Sequence, residues 1–295
     1  MDRVLPFRNN YQAQFITFFR VICKVNLIKF KNIILKISHN NSMKFSIITT
    51  TFNSIKTIEK CVNSLKSQSY NNIELIWIDN NSSDGTYEYL KGRCDKNTKL
   101  ISIKNTKIPD AWNIGIDCSK GDVICFLNSD DQYFSKNTIL DVAKLFLKID
   151  INIIYSDIVY IRENNKIFRN WISDKNNLNI KNNNYFKNKI AKGWMPPHPG
   201  FFVKKNIIEK IGKFNTKYKI SFDYDFIVRC LKNENVKAVY LNSKTVKMLV
   251  GGNSNKFKNI LCKMKEDLQI IKENKIGNSY TLIYKNLSKL PQFII

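Results

Sequence analysis

Two aspartates stand side by side at Asp130-Asp131, after the apolar run Val123–Leu127 and the polar pair Asn128-Ser129. Adjacent carboxylates in a tight turn repel each other and are costly to keep ionised there unless water or a cation neutralises them. A hard divalent cation takes oxygen ligands of this kind, and such an ion can offset the charge on a departing diphosphate. An exposed turn or a helix cap is the plain alternative for the same residues. Asp79 ends a second apolar run, Ile73–Ile78, with Asn80, Ser82, Ser83 and Asp84 behind it. Its carboxylate could accept from a nucleoside base or ribose, or could simply close a turn. Asp223 and Asp225 stand near a helix start, and residues two apart do not share a helix face. One of them could take a proton from an acceptor hydroxyl; both could equally serve the helix N-terminus. His198, within Met195-Pro196-Pro197-His198-Pro199-Gly200, either touches a ligand from a rigid loop or is structural.

These residues need elements to hold them. Phe45–Thr50 is β-rich and ends at Thr51-Phe52-Asn53; Ile55, Ile58, Val62 and Leu65 follow at helical spacing behind the cap candidates Asn53 and Ser54. Ile73–Ile78 predicts a second strand, Leu100–Ile103 a weak third and Val123–Leu127 a fourth. Helices are expected after Thr86, over Pro109–Ser119 with its proline in the first turn, and over Ile139–Leu147. Alternation of helices with near-continuous apolar strands means a mostly parallel sheet covered on both faces. Ligands bind beyond the carboxyl ends of such strands, where the clusters Thr49–Asn53, Asp79–Asn81 and Asn128–Asp131 converge. Beyond about residue 150, strands are expected at Ile153–Ile161 and Lys166–Trp171, a polar Asn/Lys-rich loop over 174–190, and a helix start at Ser221–Leu231.

The chain has 295 residues, 43% of them hydrophobic, so it can bury a real core. Its net charge of +24 suits an anionic substrate or membrane surface; a lysine-rich composition spread along the whole chain explains it equally well. The seven cysteines, Cys23, Cys61, Cys94, Cys118, Cys125, Cys230 and Cys262, have no C-x-x-C spacing, which predicts reduced thiols and a cytoplasmic setting. With only His39 and His198, a histidine-rich metal site is excluded. Residues 1–42 form a basic amphipathic extension, or a non-native one before a true start at Met43. Its apolar stretch 15–37 is cut by Arg20, Lys24, Lys29, Lys31 and Lys36 and falls short of the ~20 residues of a spanning helix, though it suits the inner face of an anionic membrane. Phe257, Ile260, Leu261, Met264, Leu268 and Ile271 make an apolar stripe in a helical extension over 256–295. Such a stripe packs on the domain or contacts a membrane.

The ordered set Ser46–Asn53, Trp77–Thr86, Asp110–Ile116, Gly121-Asp122, Phe126–Asp131, His198–Phe202, Gly212–Asn215, Ser221–Phe226 and Gly251–Ser254 resembles a family 2 glycosyltransferase of the GT-A fold, of the kind that assembles bacterial surface polysaccharides. The resemblance covers roughly residues 43–255. It implies that Thr49, Thr51 and Asp79 contact the donor base, with Asn53, Asn113 and Asp130 in the same donor-binding set and Asp130 towards the ribose. Asp131, with Asp130, would hold Mg²⁺ or Mn²⁺ on the diphosphate. Asp223, or Asp225, would be the base of an inverting transfer, with His198 nearby. The implied partners are a nucleotide-sugar donor, a UDP-sugar by analogy with the family, and a saccharide or polyisoprenyl-linked acceptor. The chain departs from the family pattern at Asn128, Phe222 and Pro199, where the family usually carries an acid, an acid and a glutamine.

Other classes fit less well. A sugar-nucleotide nucleotidyltransferase needs a glycine-rich basic loop after the first strand, and Thr49–Ser54 has neither glycine nor arginine. No G-x-G-x-x-G follows that strand, which disfavours a nicotinamide dehydrogenase. The basic residues do not gather into an arm with interleaved aromatics, so no specific nucleic-acid partner is expected.

Overall fold

Uniformly apolar strands need cover on both faces, and that requirement organises the fold of the described residues. The computed structural model describes residues 42–174, 179–251 and 257–287. The chain divides after Ser42, and the fold described here belongs to the unit Met43–Ile295; the expectation for residues 1–42 lies outside the described residues.

Strands β1 (Phe45–Thr51), β2 (Ile73–Asp79), β3 (Thr98–Ser102) and β4 (Val123–Phe126) run parallel, and the sheet continues through β9 (Phe201–Lys204), β6 (Ile153–Ile161), β10 (Lys237–Leu249) and β5 (Gln132–Tyr133). β9 lies antiparallel between β4 and β6, whereas β6 and β10 are parallel. β7 (Ile167–Trp171) pairs with β6, and β8 (Lys181–Asn182) with β10.

One face of the sheet buries Ile47, Leu75, Trp77 and Cys125 against α1 (Ile58–Lys66) and α4 (Thr138–Lys148). The other buries Ile48, Ile76 and Phe126 against α3 (Ile108–Cys118), α5 (Asn183–Ala191) and α7 (Phe222–Lys232). Alternate residues of one strand thus serve two cores. Gly115 lets α3 lie close on β1: a Cβ there would meet Ile48 Cγ2 at 2.3 Å. Between the larger helices lie α2 (Thr86–Lys91) and α6 (Lys205–Ile211), and the chain closes with the pair α8 (Phe257–Glu273) and α9 (Ser279–Leu287).

The expected polar loop over 174–190 is corrected. Residues 183–191 are helical, because Phe186 and Ile190 fall four apart and enter the core while Asn182 caps Tyr185 N at 3.2 Å. Residues 175–178 of that segment lie outside the described residues.

Candidate functional site

The polar ends of β1 and β2 are tied to each other. Thr51 faces Asp79 in register, and its hydroxyl donates to Asp79 Oδ1 at 2.8 Å. Ser82 closes the turn behind: its hydroxyl donates to Oδ1 at 2.6 Å and its backbone N–H to Oδ2 at 2.9 Å. Asp79 is thus fully buried with its charge met by three donors. Asn53 and Asn81 take left-handed backbone at φ 48° and 56°, a conformation asparagine tolerates better than most residues. This lets Asn53 N donate to Ser82 Oγ while Asn53 Oδ1 accepts from Ser83 N. Thr49, two residues before Thr51 on the same face, buries a hydroxyl with no partner among the described residues. Phe52 leaves its ring 59% exposed at this edge.

The Asn128–Asp131 turn leaves β4 beside them, and Ser129 and Ser54 share a hydroxyl contact of 2.8 Å. Asp131 is completely buried; Asn128 Nδ2 donates to its Oδ2 at 2.7 Å and Leu249 N to its Oδ1 at 3.3 Å. Burial, then the charge of Asp130, push the Asp131 carboxyl well above the usual carboxylate range. Burial raises Asp130 as well. Two such groups share a pocket stably if a proton stays bound or a cation supplies the missing charge. No cluster of three metal-ligating side chains occurs among the described residues. A carboxylate pair of this chemistry can still contribute to a cation site when phosphate oxygens and water supply the other ligands, as hard cations commonly accept.

His198 opens a single 3₁₀ turn before β9. Its ring stacks on Phe126 at 5.1 Å and meets Trp112 and Phe214 edge-on at 5.9 and 5.7 Å. Burial lowers its pKa, opposed by the charge of Asp223, and Nε2 has no partner among the described residues. An apolar cage of this kind keeps the imidazole neutral. Gly200 closes the turn where a Cβ would meet Ser156 Oγ at 2.7 Å.

The two acids of α7 part company. Asp225 is buried, and Arg229 Nε donates to its Oδ2 at 2.8 Å one turn along the helix. The same guanidinium also donates to the carbonyls of Ile211, Gly212 and Lys213, so Asp225 holds a structural junction. Asp223 is half-buried in the first helical turn, accepting from Tyr224 N at 2.7 Å. Asn113 uses its amide on the backbone of Phe214, donating to the carbonyl and accepting from the N–H, both at 2.9 Å. It braces α3 against the chain that follows α6, beneath the His198 cage.

Tyr160, near the end of β6, was not singled out in the sequence. Burial pushes its phenol up to about 12, with the charges of both Asp131 and Asp223 acting on it and Arg169 opposing. The turn acid and the helix acid therefore lie within electrostatic range of one phenol. Arg169 sits 4.0 Å from the Tyr160 ring centroid, opposite it in register on β7. A Tyr–Arg pair on neighbouring strands leaves no motif in one sequence, since its register is set by the hairpin.

The sequence profile described as "Glycosyl transferase family 2" matches residues 46–212. A "PGL/p-HBAD biosynthesis glycosyltransferase" of Mycobacterium tuberculosis is 28% identical over 204 residues, spanning 67% of this chain and 73% of the relative. An "uncharacterized glycosyltransferase" of Haemophilus influenzae is 28% identical over 229 residues, 75% of this chain and 86% of its own. Among solved structures, S. aureus TarS 1-349 in complex with UDP-GlcNAc superposes with a TM-score of 0.62 at 17% identity, over 85% of this chain and 79% of that one. The mannosyltransferase PcManGT from Pyrobaculum calidifontis, in complex with GDP-Man and Mn²⁺, gives 0.59 at 13% identity, over 86% and 74%. The mixed sheet and its flanking helices are the GT-A fold expected from the sequence.

Proposed function

Since the chain belongs to glycosyl transferase family 2, we propose that it moves one sugar from a nucleoside diphosphate donor, a UDP-sugar, to the hydroxyl of a saccharide or polyisoprenyl-linked acceptor in surface polysaccharide assembly. The observation that carries this reading is the adjacent carboxylate pair at the β4 end, with Asp131 fully buried and accepting from Asn128 Nδ2 and Leu249 N, and with the charges of Asp131 and Asp223 both acting on the Tyr160 phenol. The TarS structure holds UDP-GlcNAc and the PcManGT structure GDP-Man with Mn²⁺, and a donor of that class suits the strand ends described here.

The base of the donor lies against the Thr51–Asp79–Ser82 network, with the unpartnered Thr49 hydroxyl as a further contact and the exposed Phe52 ring as a stacking surface. Asp130 faces the ribose. Asp131 and Asp130 would hold Mg²⁺ or Mn²⁺, which would supply Lewis-acid neutralisation of the diphosphate leaving group. Asp223 accepts the proton of the acceptor hydroxyl as its oxygen bonds to the anomeric carbon. The bond from that carbon to the phosphate oxygen breaks, its electron pair leaves with the nucleoside diphosphate, and the anomeric configuration inverts. Asp225, paired with Arg229, is not available for that role.

Among the described residues no helix is long and apolar enough to cross a membrane. α9 nevertheless presents Tyr280, Ile283, Tyr284 and Leu287 to solvent at one-turn spacing. Together with the +24 charge, that stripe suits peripheral contact with an anionic cytoplasmic leaflet carrying the acceptor.

The test is slow donor hydrolysis: nucleoside diphosphate release from a panel of UDP- and GDP-sugars, with and without Mn²⁺, by the wild type and Asp223→Asn. Metal-dependent release from one donor class supports the reading. A folded protein that neither binds nor cleaves any donor contradicts it.

A further inference from the structure

The family match ends at residue 212, so α7, α8 and α9 all lie beyond it. They are not a loose appendage. Glu266, in the middle of α8, is buried, and its carboxylate gathers the backbone N–H groups of Lys219, Ile220 and Ser221 at 2.8, 3.0 and 2.8 Å. Cys262 Sγ makes a weaker fourth contact at 3.7 Å. Those three N–H groups belong to the segment that enters α7 just before Asp223, and they have no helical partner of their own. A side chain more than forty positions away in the sequence therefore closes the end of the helix that bears the proposed base.

A second contact reaches the same turn. Lys285 of α9 is buried in an ion pair with Asp267 at 2.7 Å, and its ammonium lies 3.1 Å from the ring centroid of Tyr224, the residue next to Asp223. At the far end of α7, Lys232 Nζ donates to the Asn274 carbonyl, and Asn274 Nδ2 donates to Asp225 Oδ1 at 3.5 Å. α7 is held at both ends by the helices that follow it.

We propose that Glu266 is a positioning residue for the transfer reaction: it fixes the Lys219–Ser221 backbone so that the Asp223 carboxylate is set for the acceptor hydroxyl, making the C-terminal helix pair part of the acceptor half of the active site. This rests on the reading of Asp223 as the base. Three charge-assisted hydrogen bonds to one buried carboxylate are among the stronger ways to fix a loop. Their release would let Asp223 drift, and a displacement of about 1 Å costs roughly 10²-fold in rate. The donor site, built on β1, β2 and β4, shares none of these contacts.

The experiment is a double-mutant cycle on donor cleavage using Glu266→Gln, Asp223→Asn and the pair. Glu266→Ala serves as a harsher variant, and thermal melts establish that each protein is folded. Glutamine keeps the volume but presents a single acceptor oxygen to three donors. The expected result is a fall in kcat of ten- to a hundred-fold, with donor KM and nucleotide Kd unchanged and no further loss when Glu266→Gln is added to Asp223→Asn. A wild-type kcat in folded Glu266→Gln, or losses that multiply in the double variant, would overturn the positioning role. Full activity in Asp223→Asn alone would sink the base assignment itself, whatever Glu266 does.

Discussion

The two halves of the proposed active site are built by different means. Around the proposed donor strands, the acids find hydrogen-bond donors near at hand: Asp79 in Ser82 three residues on and in Thr51 on the adjacent strand, and Asp131 in Asn128 three residues back, although Leu249 N also reaches Asp131 from β10. Around α7 the supports come from far away in the chain. Glu266 binds residues 45 to 47 positions earlier, and Lys285 lies against Tyr224. The donor half is made at turns and strand ends, and the acceptor half by docking one helix against another.

The largest expected effect separates the two acids of α7. Asp223→Asn should lower kcat by about 10²- to 10⁴-fold, the usual contribution of a general base, and leave nucleotide affinity intact. Steady-state kinetics beside calorimetry provide the check. Arg229→Ala should do the reverse: stripping the buried Asp225 of its partner costs about 3–5 kcal/mol of stability, read by urea unfolding, with donor binding retained in the folded fraction. If Asp225→Asn instead stopped turnover without loss of stability, the division of labour on α7 would be wrong.

The donor half was the more legible, and the reason is physical. β1, β2 and β4 announce themselves as apolar runs ended by polar turns, and the Asp79 and Asn128–Asp131 turns use spacings of three that local sequence records. β6 at Ile153–Ile161 coincides with its expected span. β10 escaped because its register against β6 shifts between Leu241 and Val246, which breaks the alternation of a regular strand. α5 was hidden by asparagine and lysine around its two buried residues, Phe186 and Ile190. Neither the Glu266 anchor nor the Tyr160–Arg169 pair leaves a trace in one sequence, because each depends on a tertiary register.

A pH dependence probes the helix pair. Unfolded, Lys285 keeps its proton to about pH 10.5; in the fold, burial outweighs the opposing pull of Asp267 and brings its pKa down to about 8. Between those values the unfolded chain binds more protons, so this position makes stability rise with pH, while below about pH 8 the full penalty stands. Urea midpoints across that window should rise less steeply in Lys285→Met than in the wild type. An unchanged slope would mean that the ammonium is not held out of water.

The smallest effect falls on the donor half. Thr49→Val removes a buried hydroxyl without a partner among the described residues, so stability should hold or rise slightly. If that hydroxyl meets the donor, nucleotide affinity falls about five-fold, the worth of one neutral hydrogen bond. An unchanged Kd would take Thr49 out of the donor site.

The proposed role of Asp131 and Asp130 is to bind the diphosphate of a nucleotide through a divalent cation. Its most direct test is calorimetric titration of UDP and GDP, with and without Mn²⁺, into the wild type, Asp131→Ala and Asp223→Asn. Metal-dependent binding of one nucleotide is expected, abolished in Asp131→Ala and preserved in Asp223→Asn. Binding that survives Asp131→Ala, or none by folded wild type with any metal, would contradict it.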